Sequence, residues 1–538
     1  MKKRSFRLQR WTGALLACAV LTCAPLLTAA DLSPEAHPQP FLMNVQLLGI
    51  NDFHGQLNVT RNVNGKPAGR GDVLAAYLRE REAQNPNTLL VHAGDMAGAS
   101  APVSALMQDE PTIEMLNKLK FDVGTVGNHE FDEGVNEMMR LIYGGYHEKT
   151  GYFEGADFPY ICANVVDEKT KRPILPPSLI KRVNGVPIGF IGVVTKTTPS
   201  IVTPSGVKGV LFTDEAEAIN REAAKLKKKG VHAIVVLAHE GGFQDAKTGQ
   251  ITGPIADIAN KADDDVDVIF AGHSHSYLNG TVDGKLIVQS YSYGTAFSDV
   301  DVVIDKRTKD IVAKKGEIIT TYQDNVQPDP EIRDLIQYYE EKVAPIVNQT
   351  IGTAALTLSK EGNAAGESAL GNLIADAQRW KMETDFALMN PGGIRADIEA
   401  GEVTWGELYN VQPFSNDLVK MTMTGDQLKR VLEQQWQGDR AKILQISGFT
   451  YTWDPSRPVG DRITNLKKTD GTPITPDGRY TVTANSFLAG GGDGFTVFQE
   501  PTDKVVGPVD LDALIEYIKQ LPQPFSAQIE GRIQLAGQ

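Results

Sequence analysis

Five short apolar runs in the first part of the chain each end in residues able to hold a cation or move a proton. The runs are 45–50, 89–91, 123–126, 233–237 and 266–270. Behind them come Asp52 with His54, Gly94-Asp95, Gly127-Asn128-His129-Glu130-Phe131-Asp132, His239, and Gly272-His273-Ser274-His275. Amphipathic stretches such as 73–82, 111–120 and 214–229 separate the runs. That alternation predicts a layered α/β domain with sheets buried between helices. In open α/β folds the carboxyl ends of the strands form one rim where ligands bind. The spacing thus predicts that five loops converge. Asp52 and His54, like His273 and His275, are two apart, and in an extended segment such residues project to the same side.

Singly, each histidine has an ordinary reading as a capping or packing residue. Five of the nine histidines falling in these clusters make that reading strained. Imidazole, carboxylate and amide donors without a thiolate suit Zn, Mn, Fe or similar divalent ions. The donors are too many for one tetrahedral ion. Two ions sharing a bridging carboxylate use them all, and paired ions favour phosphoester hydrolysis.

At 538 residues the chain exceeds one hydrophobic core, so two domains are expected. Residues 1–30 begin with Lys2, Lys3, Arg4, Arg7 and Arg10, continue through an apolar run near 14–27, and end in Thr28-Ala29-Ala30. This is the pattern of a secretory signal peptide, and the run is shorter than the roughly 20 residues a spanning helix needs. An exported product, periplasmic or secreted and with no membrane span, is expected. Cleavage would remove five basic residues and no acidic ones, taking the formal charge from −14 to −19. Such a charge excludes general binding of nucleic-acid polymers through a positive surface. An anionic substrate must be drawn in locally. Of the three cysteines only Cys162 lies beyond the signal, so no intrachain disulfide is expected in the mature protein.

The five clusters resemble the signature of calcineurin-like metallophosphoesterases. The second half resembles the C-terminal domain of 5′-nucleotidases. The matching pieces are Gly371-Asn372-Leu373-Ile374-Ala375-Asp376-Ala377, Asn390-Pro391-Gly392-Gly393-Ile394-Arg395, Gln412-Pro413-Phe414-Ser415-Asn416 and 485–495. The resemblance implies an αββα catalytic domain over 41–323, a linker helix within 324–351, and a smaller α/β substrate-binding domain over 352–538. It implies one metal on Asp52, His54, Asp95 and His275, and another on Asp95, Asn128, His239 and His273. His129 would stabilise the transferring phosphoryl group or protonate the leaving oxygen, with Asp132 orienting it. Asn390 and Arg395 would grip phosphate, Phe414 and Phe487 would sandwich a base, Asp493 would accept hydrogen bonds from ribose hydroxyls, and Asn416 would lie near the base or sugar.

There is one departure. Nucleotide-binding relatives often carry a further Arg just before the Glu367-Ser368 position, whereas 362–366 here offers none. Arg379 or a lysine is left to serve. Nucleotides are the expected substrates. Cyclic nucleotides, ADP or ATP and nucleotide sugars stay open beside monophosphates, as does oligomeric state. The contrasting expectation, a nucleoside-binding or metal-binding module without catalysis, would show a missing ligand or a broken His–Asp pair, and every such position is filled.

Overall fold

The computed structural model describes residues 41–438 and 440–537. The expected signal peptide lies outside the described residues.

Two six-stranded sheets form the centre of the first domain. In the first, the strands Leu42–Ile50, Thr88–His92, Val123–Thr125 and Tyr160–Ile161 run parallel. Antiparallel Ala296–Asp305 and Asp310–Thr320 extend it beyond Leu42–Ile50. In the second, Val186–Val194, Ile234–His239, Val266–Ala271 and Lys285–Ser290 run parallel, with an antiparallel strand at each edge. Their facing sides share one core in which Val45, Leu47, Val91 and Val123 meet Phe190, Leu237, Val268 and Phe270. The sheets approach closely at Gly49, where a Cβ would lie 2.3 Å from the Phe270 ring. Helices cover both outer faces, each over its own apolar cluster. The architecture is the layered α/β arrangement expected from the alternating pattern, in the αββα form that the family resemblance implies. Because both faces of each sheet are buried, the strands read as continuous apolar runs.

The connecting segment forms the helix Pro330–Val347, with Asp329 capping it by accepting from Ile332 N at 3.0 Å. Ile332, Leu335, Ile336, Tyr339 and Val343 recur at helical spacing and are buried in the outer cluster of the first sheet. The helix is therefore built into the first domain, not a free spacer.

The second domain is organised on a five-stranded mixed sheet, ordered Gln445–Ser447, Phe386–Met389, Arg479–Asn485, Asp417–Thr424, Val505–Val509. Helices Ala369–Met382 and Asp510–Gln520 cover one face, sharing a core through Leu373, Ile374, Leu514 and Ile518. Ser368 starts the first of these, its Oγ accepting from Gly371 N at 3.0 Å. Cys162 is buried and unpaired, and burial pushes its thiol up to about 12. Among the described residues no helix is long and apolar enough to cross a membrane.

Candidate active site

Every cluster singled out in the first domain lies at or just beyond the carboxyl end of a parallel strand. The loops converge. Asp52 Oδ1 is 3.3 Å from His275 Nε2, and His54 Nε2 is 3.3 Å from the same nitrogen. Asp95 Oδ2 lies 3.7 Å from His54 Nε2 and 3.1 Å from His239 Nε2. Asn128 Oδ1 is 3.1 Å from His239 Nε2 and 2.8 Å from His273 Nδ1. All seven residues expected as metal ligands thus occupy one patch, with Asp95 between its halves.

The donor chemistry fits divalent ions. His54 Nδ1 lies 2.8 Å from the Gly98 carbonyl and His239 Nδ1 2.8 Å from the Ala93 carbonyl, so each donates there and turns its Nε2 lone pair toward the patch. Imidazole nitrogens, carboxylate oxygens and the Asn128 amide oxygen thus crowd within 3.7 Å of one another, an arrangement a cation satisfies. Burial drives the His54 imidazole well below its ordinary pKa and lowers His273 to about 4, keeping both in the neutral, ligating form. At His239 burial is outweighed by Asp95, which raises the imidazole to about 10, so the Nε2 proton held against Asp95 must leave before that nitrogen can ligate. The protein alone already draws positive charge to this point.

The backbone is unusual here. Asp52, His54, Asp95, His273 and His275 have φ of 50°, 50°, 53°, 71° and 52°, the left-handed region that non-glycine residues avoid. The expected extended geometry at Asp52 and His54 is therefore corrected: the side chains converge through turns, not through strand alternation. Gly127 is needed for the approach of two loops, since a Cβ there would lie 2.1 Å from Asp95 Oδ1.

His129 sits at the edge of this patch. Its Nδ1 is 2.7 Å from Asp132 Oδ2, and its backbone N–H donates to Asp95 Oδ1 at 2.9 Å. Burial opposes protonation of the ring, but the Asp132 and Asp95 charges prevail and raise its pKa. The ring also comes within metal-sharing distance of His54 and Asp95. With Nδ1 held by Asp132, however, the nitrogen left to act is Nε2.

The second domain closes the space above. A cavity of about 420 Å³ is lined by Asp95, Asn128, His129, Asp132, His273 and His275 from below and by Asn390, Arg395, Phe414, Asn416, Phe487 and Asp493 from above. The Phe414 ring stacks on His129 at 5.8 Å between centroids and 20° between planes. Arg395 stands 5.7 Å from the Phe414 centroid. Asn390 Oδ1 accepts from Asn485 Nδ2 at 2.9 Å, and Asn416 Oδ1 accepts from Ser486 Oγ at 3.1 Å, which fixes both amides. Asp493 adopts φ 59° and its carboxylate accepts from Lys442 Nζ at 2.8 Å. All six residues expected to touch substrate line one cavity with His129 and Asp132.

Residues 45–277 match the family model for calcineurin-like phosphoesterases, and 350–500 match that for the 5′-nucleotidase C-terminal domain. The crystal structure of a 5′-nucleotidase precursor from Thermus thermophilus is 30% identical, covers 92% of this chain and all of that one, and superposes with TM-score 0.79. This chain belongs to the 5′-nucleotidase family. The calcineurin-like phosphoesterase match and the 5′-nucleotidase homologues indicate a phosphoric ester hydrolase, and the metallophosphoesterase domain implies divalent metals. Cell wall protein Lmo0130 of Listeria monocytogenes is 37% identical over 94% of this chain and 71% of that protein. Endonuclease YhcR of Bacillus subtilis is 46% identical over 94% of this chain, which spans only 41% of YhcR's length.

Three features of this 5′-nucleotidase-family site escaped the sequence reading. Glu130, to which the sequence pattern assigns no role, is buried, and its carboxylate accepts from the backbone N–H groups of Asp95 at 3.0 Å, Met96 at 2.7 Å, Ala97 at 3.1 Å and Gly127 at 2.5 Å. It stitches the Asp95 loop to the Asn128 loop. Burial and the neighbouring Asp95 push its carboxyl up, while the converging N–H groups favour the ionised form. Glu130→Gln turns an acceptor toward those donors into a donor. We expect it to cost roughly 1–3 kcal/mol of stability, seen as a lower Tm, and to weaken cation retention roughly tenfold or more. An unchanged Tm and unchanged cation content would contradict this role.

Lys442 lines the cavity as well, whereas Arg379 is turned away, its Nε donating to Ser447 Oγ at 2.7 Å. Tyr293 lies 5.6 Å from the His54 ring and 5.2 Å from the His275 ring. It follows the strand Lys285–Ser290, so the strand-end rule that located the metal-ligand candidates could have found it. His92 is a core residue, packed 4.9 Å from the Tyr160 ring with its pKa lowered to about 3 by burial.

Proposed function

We propose that this chain is an exported phosphohydrolase that releases phosphate from nucleotides at a two-metal site. The observation carrying the reading is the single cavity in which the metal-ligand patch, the His129–Asp132 pair and a phosphate-and-base grip face one another. Asp52, His54, Asp95 and His275 would hold one divalent ion; Asp95, Asn128, His239 and His273 the other. Zn, Mn or similar ions suit these donors. Bound there, such ions supply Lewis acidity toward phosphoryl oxygens and acidify a water for in-line attack.

The chain's own groups account for the rest. Asn128 contributes a neutral oxygen, which limits negative charge where a phosphate must approach. Arg395 presents a planar fork that matches phosphate oxygens, with the Asn390 amide beside it. Asp132 holds His129 by Nδ1, so that Nε2–H donates to a phosphoryl oxygen or to the leaving oxygen. Phe414 and Phe487 stack a base without choosing among bases, because every base has a π-face. Lys442 orients Asp493 toward the sugar. Closure of the second domain over the rim excludes water. Export rests on the signal-peptide pattern of residues 1–30 and agrees with the wall location in the name of Lmo0130.

Phosphate release from AMP tests the reading, and a catalytically silent binding module predicts none. Parallel reactions with cyclic nucleotides, ADP, ATP and nucleotide sugars define breadth. Phe487→Ala is expected to raise KM for AMP roughly 5- to 100-fold with little change in kcat, the range of one base-stacking contact. Unchanged KM would remove Phe487 from the base site.

A further inference from the structure

The loop that carries Phe414 is tied at both ends to one buried residue of the second domain. Asp510 opens the helix Asp510–Gln520 directly after the edge strand Val505–Val509. Its backbone N–H donates to the Asn416 carbonyl at 2.8 Å, and its Oδ2 accepts from Gln412 Nε2 at 3.3 Å. Gln412 and Asn416 bracket Phe414. Asp510 and Gln412 are both buried, and Gln412 Oε1 has no hydrogen-bond partner. Among the described residues, Asp510 is therefore the one group that holds the Gln412 side chain.

The loop needs such ties. Ser415, next to Phe414, has φ of 52°, a left-handed conformation that a non-glycine residue keeps only where its surroundings fix it. Before the loop, the helix Trp405–Val411 ends in a carbonyl that accepts from Arg395 N at 2.8 Å. Arg395 is thus set upstream of Gln412, and the tie to Asp510 bears on the Phe414 segment that follows. Around Asp510 the charged neighbours are Asp417 on the adjoining strand and Asp512 on its own helix. Burial outweighs the Leu511 N–H that its Oδ1 accepts and, with those two acids behind it, pushes the carboxyl up to about 8. The group is therefore uncharged near neutral pH, and it can stay beside a buried amide without a counter-ion.

Resting on the nucleotide reading above, we propose that Asp510 is a positioning residue for the base, setting the Phe414 ring through Gln412 from outside the cavity. Asp510 is not among the residues that line the cavity. It acts on a bound nucleotide only through the loop it holds. Alanine at this position keeps the tie to Asn416, which the backbone N–H makes, and loses the tie to Gln412. Asparagine keeps an acceptor for Gln412 Nε2 and adds an N–H donor without adding charge.

The test is steady-state hydrolysis of AMP, with inorganic phosphate as competing inhibitor, by the full chain and four variants. These are Asp510→Ala, Asp510→Asn, Gln412→Ala, and Asp510→Ala combined with Gln412→Ala. Asp510→Ala is expected to raise KM for AMP roughly 3- to 30-fold, a part of one base-stacking contact. Its kcat should change less than about twofold, the pattern of lost uniform binding, and inhibition by phosphate, which has no base, should not move. Gln412→Ala should do the same, and the double variant no more than either single one, because the two side chains act as a unit. Asp510→Asn should keep KM within about twofold of the unmodified chain, since the hydrogen bond survives. The proposal is overturned by an unmoved KM in Asp510→Ala, by equal weakening of phosphate inhibition, by additive losses in the double variant, or by an Asn variant as impaired as the Ala one. Should Asp510→Ala not fold, Gln412→Ala must still raise KM for AMP without touching phosphate inhibition, and Asp510→Asn must leave both unchanged. If the unmodified chain releases no phosphate from AMP, the proposed function itself fails. Release with KM unmoved by these substitutions defeats only the Asp510 assignment.

Discussion

Replacing His129 with alanine is expected to lower kcat for AMP by roughly 10²- to 10⁴-fold, the span of a lost general acid, while both metal ions stay bound. We expect the ring to deliver a proton and not to ligate, because Asp132 engages Nδ1 at 2.7 Å and, with Asp95, raises the imidazole pKa against burial. The loop should survive the change. Its tie to Asp95 runs through the His129 backbone N–H, which alanine keeps. Kinetics read against metal content by elemental analysis check the prediction. Loss of one ion on this substitution would reassign His129 as a ligand.

Asp95→Ala is expected to be more severe. Asp95 Oδ2 faces His54 on one side and His239 on the other, and it is the carboxylate assigned to both ions. Its loss removes a ligand from each site and the charge that opposes two dications. We expect at most one ion retained and turnover reduced more than roughly 10³-fold, since a metal's share of transition-state stabilisation is several kcal/mol. Two ions retained with substantial turnover would show that the bridge lies elsewhere.

Much of this site could be read from residue order. Apolar runs ending in Asp, Asn and His located seven metal-ligand candidates, because a parallel sheet forces strand ends onto one rim whatever the loops do. The turn 127–132 divided its work between Asn128, His129 and Asp132 at the level of sequence, and the geometry places each beside the expected neighbour. What could not be read is set by the third dimension. Positive φ at five ligand residues replaced the extended geometry assumed for Asp52 and His54, since periodicity carries no information on strained turns. Glu130 acts through backbone N–H groups from two loops, which have no signature in side-chain spacing. Lys442 lies in a polar segment where a charged residue is normally solvated, and only its contact with Asp493 distinguishes it. The linker helix was visible, but its burial in the first domain depended on an apolar stripe whose partner the sequence did not name.

The central claim is that two divalent ions on this rim drive phosphate release from nucleotides. The most direct measurement strips the purified chain with a chelator, then titrates Mn or Zn back while following phosphate release from AMP and the number of ions bound. The account predicts activity lost on stripping and restored on titration, with two ions per chain when activity saturates. Undiminished release from the stripped protein, or saturation at one ion, would contradict it.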